Sequence, residues 1–418
     1  MGGTGTVSLA GAKSTITAGA ADVNLLFIGD STGDATTEWI YRVAAGLGTR
    51  YPTHTVDYRL YNSGTDVYGS ATTVSTGSGA RKITFWNASI SSATMGTLLG
   101  SKFAPAIGAL TNLSGIIISL GQNNTAYNAT PYLLRGQMVG LLEQVMLAQP
   151  GVPITIVLQN PRRDTDLMAP VVESWRYLQT LRPELGYVDV YSEFIARGKA
   201  ASLYLDDVHP SNASPGSDGS SLYSDKFLAQ FDAASGVDPA GSFIAWLTNR
   251  AASDILINGD FAAFASAVPD NFTLQGAGAA LTKDVVTVAP GKSYSVKLVN
   301  GSGGSHLRQT LSAPQMAMLA GKKATLAVHH YISSAGAPTN GTGAVRLLAE
   351  PPASNGTPLD PKLVGMDGWR WSIICGEDVP ADVSLTWAMQ YANSSGGATL
   401  GTVYIDEMRL FVGEKSGS

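Results

Sequence analysis

The fold of the first half of this chain is indicated by one short segment, Val23-Asn24-Leu25-Leu26-Phe27-Ile28-Gly29-Asp30-Ser31. It opens with a run of almost wholly apolar residues, and a helical pattern extends from Thr37 to Leu47. A short run that is apolar throughout is typical of a strand buried on both faces of a sheet. We therefore expect Asp30 and Ser31 at the carboxyl end of a buried strand, where open α/β sheets place their binding sites.

The same rhythm continues along the first half of the chain. Short apolar runs recur at Gly115 to Leu120 and at Ile154 to Leu158, and helical patterns recur at Leu133 to Leu147 and at Met168 to Leu181. Buried strands that alternate with helices indicate an α/β fold, with a parallel sheet covered by helices on both faces.

Two segments depart from that rhythm. Residues 55–87 contain the strand-like runs Val56 to Tyr61 and Lys82 to Trp86, joined by a segment rich in Gly, Ser and Thr. We interpret these residues as a β-hairpin-like insertion. Residues 1–21 form a lead-in with a weak strand pattern, which includes Ser14 to Thr17.

The second half of the chain has a different character. Residues 236–253 are predicted to form a linker helix, and residues 254–413 show short alternating strands separated by Gly, Pro, Asn and Ser turns. Examples of these strands are Tyr294 to Leu298, Ala324 to Val328, Val383 to Trp387 and Val403 to Ile405. Regular short strands with such turns predict a separate all-β sandwich domain.

Composition excludes several classes of function. The 418 residues carry a formal net charge of -5 and only 14% charged residues, which argues against a nucleic-acid partner. Cys375 is the one cysteine, so an intrachain disulfide and a cysteine-based zinc site are both excluded, and a small buried hydrophobe is the expected role. The apolar runs are strand-sized, so we expect no membrane span, and no signal peptide is visible.

The polar residues at the strand ends carry the chemistry. An ester hydrolase that works through serine needs an exposed nucleophile, a base, an acid that orients the base, and donors for the oxyanion. Ser31 follows the first strand, and Asp206-Asp207-Val208-His209-Pro210 has an aspartate three residues before a histidine. On a tight loop this spacing lets the carboxylate bond one ring nitrogen while the other faces the serine. Asn87-Ala88-Ser89 and Gly121-Gln122-Asn123-Asn124 come directly after two further strands and offer donors.

These four pieces, in this order, resemble the four sequence blocks of the SGNH (GDSL-type) hydrolase family over about residues 22–235. The resemblance implies a three-layer αβα domain of the flavodoxin-like kind. It also implies a catalytic triad of Ser31, Asp206 and His209, and an oxyanion hole made of the Ser31 and Ser89 backbone N–H groups and the Asn123 side chain. His209 would act as the general base and then as the acid.

The sequence departs from the family pattern in two blocks. Asn124 replaces the final aspartate of the third block, and Ser89 stands where the second block has a glycine. A literal match to the second block, Asn62-Ser63-Gly64, lies earlier in the chain. We favour Asn87 because it comes after a strand and directly precedes a helix-like stretch.

The second half resembles the jelly-roll carbohydrate-binding modules that are often fused to glycan-active enzymes. In such modules the first and last strands pair and often hold a structural calcium, which implies Asp260 and Asp406 as oxygen ligands here. Sugar rings would stack on exposed aromatic side chains. The candidates for that role are Trp369, Trp371, Trp387 and Tyr391, and packing in the core of the sandwich is the alternative for each.

Together these features predict a serine esterase that removes acyl groups, above all acetyl, from a carbohydrate through an acyl-enzyme, with no cofactor required for catalysis. A lipase or acyl-thioesterase acting on simple esters is one alternative. A glycan-binding or phage-tail structural protein with an inactive hydrolase fold is another. The inserted β segment also resembles those of SGNH domains in phage tail fibres and spikes, which remove acetyl groups from surface polysaccharides. The expected partner is an acylated carbohydrate or a small ester. An oligomer is compatible with each of these functions. An extracellular or virion-associated location fits best, and a cytoplasmic one stays open.

Overall fold

The computed structural model describes residues 9–124, 131–182, 184–235, 254–276, 278–289, 291–299, 305–332, 342–350, 357–358, 369–379, 381, 386–394 and 402–413. The chain divides into two compact units. The first takes in residues 102–131 and 145–244 and the chain up to Met95, and the second takes in residues 96–101, 132–144 and 245–418. The predicted linker helix, residues 236–253, lies outside the described residues.

An eight-stranded sheet forms the centre of the first unit, in the order β3-β2-β5-β1-β6-β7-β8, with β4 also paired to β2. Its strands are β1 (Val23–Gly29), β2 (Thr55–Asn62), β3 (Val67–Tyr68), β4 (Thr72–Ser75), β5 (Lys82–Asn87), β6 (Gly115–Ser119), β7 (Ile154–Leu158) and β8 (Gly186–Asp189). The helices of this part of the chain are α1 (Ala10–Ala18), α2 (Trp39–Arg50), α3 (Met95–Leu99), α4 (Pro131–Ala148), α5 (Ala169–Leu181), α6 (Tyr191–Ala196) and α7 (Gly219–Ala233).

Six neighbouring strands of the sheet, from β2 through β5, β1, β6 and β7 to β8, are parallel. On one face Phe27 stacks on Phe85, with ring centroids 5.2 Å apart, and contacts Trp39 of α2 and Phe227 of α7. The side chains that alternate with these, such as Leu26 and Ile118, are also fully buried. The sheet is therefore covered on both faces, and the predicted α/β class is confirmed.

The predicted insertion at residues 55–87 is wrong in its extent. β2 and β5 are parallel strands of the main sheet, paired from Thr55 with Lys82 to Leu60 with Asn87, and β5 lies between β2 and β1. Only β3 and β4 run antiparallel to β2, along its outer edge. Near a sheet edge a strand is buried on one face, so its residues alternate in polarity and look like half of a hairpin.

The weak strand pattern in the lead-in is also wrong. Residues 14–17 belong to helix α1, which ends at Ala18 and is capped by Gly19 with φ +57°. Leu9, Ala12 and Ile16 are buried at helical spacing, and this burial outweighs the strand preference of the β-branched Thr15 and Thr17.

The second unit contains two five-stranded antiparallel sheets, ordered β10-β11-β18-β13-β16 and β15-β14-β17-β12-β9. Their strands are β9 (Thr273–Gln275), β10 (Ala280–Asp284), β11 (Ser295–Val299), β12 (Ser305–Thr310), β13 (Lys323–Ile332), β14 (Thr342–Glu350), β15 (Thr357–Pro358), β16 (Trp369–Asp378), β17 (Thr386–Ser394) and β18 (Thr402–Val412), with helix α8 (Ala313–Leu319). The start of the domain bonds to its end, because the N–H of Ile255 donates to the carbonyl of Leu410 at 2.8 Å. The predicted all-β domain is confirmed, and its jelly-roll connectivity stays a prediction.

Candidate active site

The structure brings Ser31, His209 and Asp206 into one hydrogen-bonded chain. Ser31 lies in the turn directly after β1, an inner strand of the sheet, and its Oγ is 2.9 Å from Nε2 of His209. The other ring nitrogen of His209, Nδ1, is 2.7 Å from Oδ2 of Asp206. A serine, an imidazole and a carboxylate in this order can move a proton from the serine hydroxyl as the oxygen attacks.

The loop that carries the acid and the base is ordered by Asp206 itself. Its Oδ1 accepts hydrogen bonds from the backbone N–H groups of Val208, at 2.7 Å, and of His209, at 2.8 Å. Partial burial raises the pKa of Asp206, but these two N–H groups and His209 outweigh burial and hold the pKa below its usual value. The carboxylate therefore stays charged opposite the imidazole.

Asp207 has a different contact from its neighbour. Its carboxylate forms an ion pair with Arg163, and its carbonyl accepts the Arg163 N–H at 2.9 Å. The preceding Arg162 donates from Nη2 to the carbonyl oxygen of Gln122 at 2.7 Å. Arg162 thus bonds to the residue that precedes Asn123, and Arg163 stabilises the loop of His209 through its two contacts with Asp207.

Asn123 lies just beyond β6, the strand next to β1. Its Nδ2 donates to the carbonyl of Ala93 at 3.0 Å, and an amide NH2 group carries a second hydrogen that can face an oxyanion. Asn124, which replaces the family's aspartate, is buried and accepts the N–H of Met95 at 3.1 Å through Oδ1. Asn124 therefore supports the loop near Met95.

The geometry does not support the predicted oxyanion role of Ser89. Ser89 is buried, and its backbone N–H donates to Oδ1 of Asn87 at 3.0 Å. Nδ2 of Asn87 donates in turn to the carbonyl of Gly33 and to the hydroxyl of Tyr58. Asn87 thus orders its own loop and connects it to the loop of Ser31, which the sequence could not show because these partners are distant in the chain.

The rival match at Asn62 belongs to a surface turn. Its Oδ1 accepts from the N–H groups of Gly64, at 2.9 Å, and Thr65, at 3.3 Å, between β2 and β3. Strand β2 is separated from β1 by β5, whereas Asn87 ends β5 next to β1. The structure therefore places Asn87, and not Asn62, beside β1, the strand that precedes Ser31.

Ser92 is a candidate donor that the sequence did not reveal. It lies in a turn closed by the hydrogen bond from the N–H of Ala93 to the carbonyl of Ile90, is exposed, and has φ +60°, a region that favours glycine. Because Asn123 bonds the carbonyl of Ala93, the next residue, this turn is held close to the Asn123 amide. A backbone angle of this kind cannot be read from the serine alone.

The candidate sugar-binding residues are divided between the two sheets. Trp369 and Trp371 lie on β16, and Trp387 and Tyr391 lie on β17 of the other sheet. Trp371 is only 5% exposed and stacks on His329 with centroids 4.8 Å apart, so core packing accounts for it. Trp369 is half-buried and keeps part of its surface accessible.

The proposed calcium ligands have other partners. Asp406 is buried and its Oδ2 lies 3.0 Å from Nδ1 of His329, while the exposed Asp260 accepts the N–H of Ala262 at 3.3 Å. Among the described residues, no three His, Cys, Asp or Glu side chains come together as a metal site. The calcium site at Asp260 and Asp406 stays a prediction.

Comparisons with known proteins gave matches among solved structures only. No protein-family model and no curated protein matches the chain. The chain is similar to a two-domain esterase (CEX) active on acetylated mannans, at 14% identity, over 99% of this chain and 97% of that one, with a TM-score of 0.43. A lipase/acylhydrolase from Enterococcus faecalis aligns at 11% identity over 50% of this chain and 96% of its own, with a TM-score of 0.36. A xylan-binding domain from CBM 22 aligns at 14% identity over 38% of this chain and 94% of its own, with a TM-score of 0.29.

Within the described part of the chain, no helix combines the length and the apolar character needed to cross a membrane.

Proposed function

We propose that this chain is a serine ester hydrolase that removes O-acetyl groups from a carbohydrate. The observation that carries the proposal is the relay from Asp206 to His209 at 2.7 Å and from His209 to Ser31 at 2.9 Å. Ser31 comes from one loop and the pair Asp206 and His209 from another loop far along the chain, and each group has the chemistry that its place in the relay requires.

In the first half of the reaction, Oγ of Ser31 attacks the ester carbonyl while Nε2 of His209 takes the hydroxyl proton. Asp206 stabilises the imidazolium that forms. The negative charge on the carbonyl oxygen is met by the Asn123 amide and the Ser31 N–H, with the Ser92 N–H as the proposed third donor in place of that of Ser89. His209 then gives its proton to the departing sugar oxygen, which leaves an acetyl group on Ser31.

In the second half, a water molecule gives a proton to His209 and attacks the acetyl carbon. The tetrahedral intermediate then breaks down, Ser31 recovers its proton from His209, and acetate leaves. Atoms and charges balance with water as the co-reactant, because the acetic acid that forms gives its proton to the solvent as it leaves as acetate.

The choice of a small acyl group on a polar alcohol rests on the side chains near the nucleophile. Asp34, Asn123 and Arg162 are polar residues on the loops that surround Ser31, and each is partly exposed. Such groups suit a hydroxyl-rich alcohol better than a long hydrocarbon chain. The β domain would then bind the glycan, with Trp369 as the aromatic face that remains a candidate.

The proposal is tested by measuring acetate released from acetylated mannan, acetylated xylan and medium-chain nitrophenyl esters. Wild type, Ser31→Ala and a control, Ser70→Ala at an exposed loop position, are compared. Acetate release from a glycan by wild type and Ser70→Ala, with none from Ser31→Ala, supports the proposal. Hydrolysis confined to the medium-chain esters would instead favour a lipase or thioesterase. An absence of hydrolysis, together with no labelling of Ser31 by a fluorophosphonate, would favour an inactive binding protein.

A further inference from the structure

Two uncharged residues directly after β7, Gln159 and Asn160, lie outside all four sequence blocks yet are almost completely buried, at 1% and 0% exposure. Burial of a primary amide is unfavourable unless its donors and acceptors are satisfied. The partners of these two side chains therefore show why the fold places amides here.

The side chain of Gln159 joins the loops that come after β1 and β6. Its Nε2 lies 3.0 Å from Oδ2 of Asp30, 3.1 Å from Oγ1 of Thr32 and 3.1 Å from the carbonyl of Ser119. Its Oε1 accepts the N–H of Gln122 at 3.1 Å. Asp30 and Thr32 flank the nucleophile Ser31, and Gln122 precedes Asn123, so one amide contacts both loops.

The contact between Gln159 and Asp30 involves a buried carboxyl group. Asp30 is fully buried, and burial raises its pKa, while the hydrogen bond from Gln159 and those from Thr32 act in the opposite direction. The Thr32 hydroxyl donates to Oδ1 of Asp30 at 2.8 Å, and its N–H donates to the same oxygen at 3.1 Å. Hydrogen bonds between Asp30 and Thr32 thus close the turn around Ser31, and hydrogen bonds from Gln159 connect this turn to the end of β7.

Asn160 makes the corresponding link to the loop of the base. Its Nδ2 donates to the carbonyl of Val208 at 2.9 Å, one residue before His209. Its Oδ1 accepts the hydroxyl of Tyr223 on α7 at 2.7 Å, and its own N–H donates to that hydroxyl at 2.7 Å. The link is therefore fixed at both ends.

We propose that Gln159 is a positioning residue that sets the distance between Ser31 and the Asn123 oxyanion donor, with Asn160 doing the same for His209. The proposal rests on the esterase function proposed above. The loops that carry Ser31, Asn123 and His209 belong to different strands and helices, so no local sequence fixes their mutual placement. A buried side chain that bonds to two loops at once can fix their positions relative to each other. This placement matters because a reacting group misplaced by about 1 Å lowers the rate by roughly 100-fold.

The test replaces Gln159 with methionine, which keeps the length of the side chain but removes its polar atoms. Gln149→Met is the matched control, because Gln149 is also buried and donates to the backbone carbonyls of Ile107 and Leu110, at 3.0 Å and 2.8 Å. Both variants lose buried hydrogen bonds, so both should lose thermal stability. We expect kcat for an acetyl ester to fall about 10- to 100-fold in Gln159→Met, with KM within about twofold of wild type, and both constants to stay within about twofold in Gln149→Met.

A folded Gln159→Met with wild-type kcat would overturn the inference, as would an equal loss of kcat in the control. If Gln159→Met does not fold, Gln159→Asn takes its place, because the shorter amide cannot reach both loops, and the same loss of kcat is expected. A wild-type enzyme that hydrolyses no ester would refute the proposed function instead, so the two failures are distinguishable.

Discussion

Replacing Asp206 with asparagine tests the electrostatic part of the relay. The substitution keeps the shape of the side chain but removes the charge opposite the imidazolium that forms during attack. The side chains of His209 and Asp206 are 30% and 53% exposed, so water screens their attraction. Two unit charges about 4 Å apart attract by about 1 kcal/mol in bulk water and by about 4 kcal/mol at an effective dielectric constant of about 20.

Those limits correspond to a loss of kcat between about 5-fold and about 900-fold. The buried triad aspartate of chymotrypsin-type proteases gives a loss of about 10⁴-fold when it is replaced by asparagine. Because Asp206 is half exposed, we expect the loss of kcat in Asp206→Asn to be smaller than 10⁴-fold and to lie within the calculated range.

The assay is steady-state hydrolysis of a nitrophenyl acetate, with Asp207→Asn as the matched control. Asp207 is 47% exposed and is paired with Arg163, so its replacement should change kcat less than about twofold. A kcat within twofold of wild type for Asp206→Asn would refute the assignment of Asp206 as the orienting acid. So would a loss in Asp207→Asn as large as that in Asp206→Asn.

Three further predictions concern single side chains. Asn123→Ala should lower kcat about 100- to 1,000-fold, because it removes an oxyanion donor, and KM should change little in the same assay. Asp218→Ala should lower the free energy of unfolding by about 3 to 5 kcal/mol at pH 7, measured by urea denaturation, because it leaves the Arg42 guanidinium, 2.6 Å away, without its buried partner. Burial raises the pKa of Asp218, but the bonds from Arg42 and Ser221 outweigh it and lower that pKa. This stabilisation is therefore present above about pH 4, the unfolded value, and is lost as the pH falls through the folded pKa, so wild type and variant should converge in acid. Burial raises the pKa of Glu38 to about 7, so wild type should lose stability as the pH rises from about 4.5 to about 7, and Glu38→Gln should melt higher than wild type at pH 8 but not at pH 4.

Local patterns were sufficient where burial is nearly complete. β1, β6 and β7 are buried almost throughout, and each is predicted from a short, largely apolar run. In β5 buried residues alternate with partly or fully exposed ones, and β2 mixes buried and partly buried residues; such patterns fit a hairpin or two parallel neighbours. The path of the chain between the two strands decides between these arrangements, and that path depends on packing elsewhere in the domain.

The opening strand and the position of Ser31 at its end follow from local sequence alone. A buried apolar run that ends in Gly29-Asp30-Ser31 places a serine at the carboxyl edge of a sheet, and the spacing of Asp206 and His209 lets a carboxylate orient an imidazole within one loop. The mutual placement of the loops depends on packing between distant parts of the chain. The N–H of Ser89 bonds to Asn87, and the turn that contains Ser92 lies next to Asn123. Gln159 lies between the loops of Ser31 and Asn123 and bonds to both. These contacts cannot be predicted from local sequence because hydrogen bonds between buried groups depend on the distances between strands, and those distances are set by residues far apart in the chain.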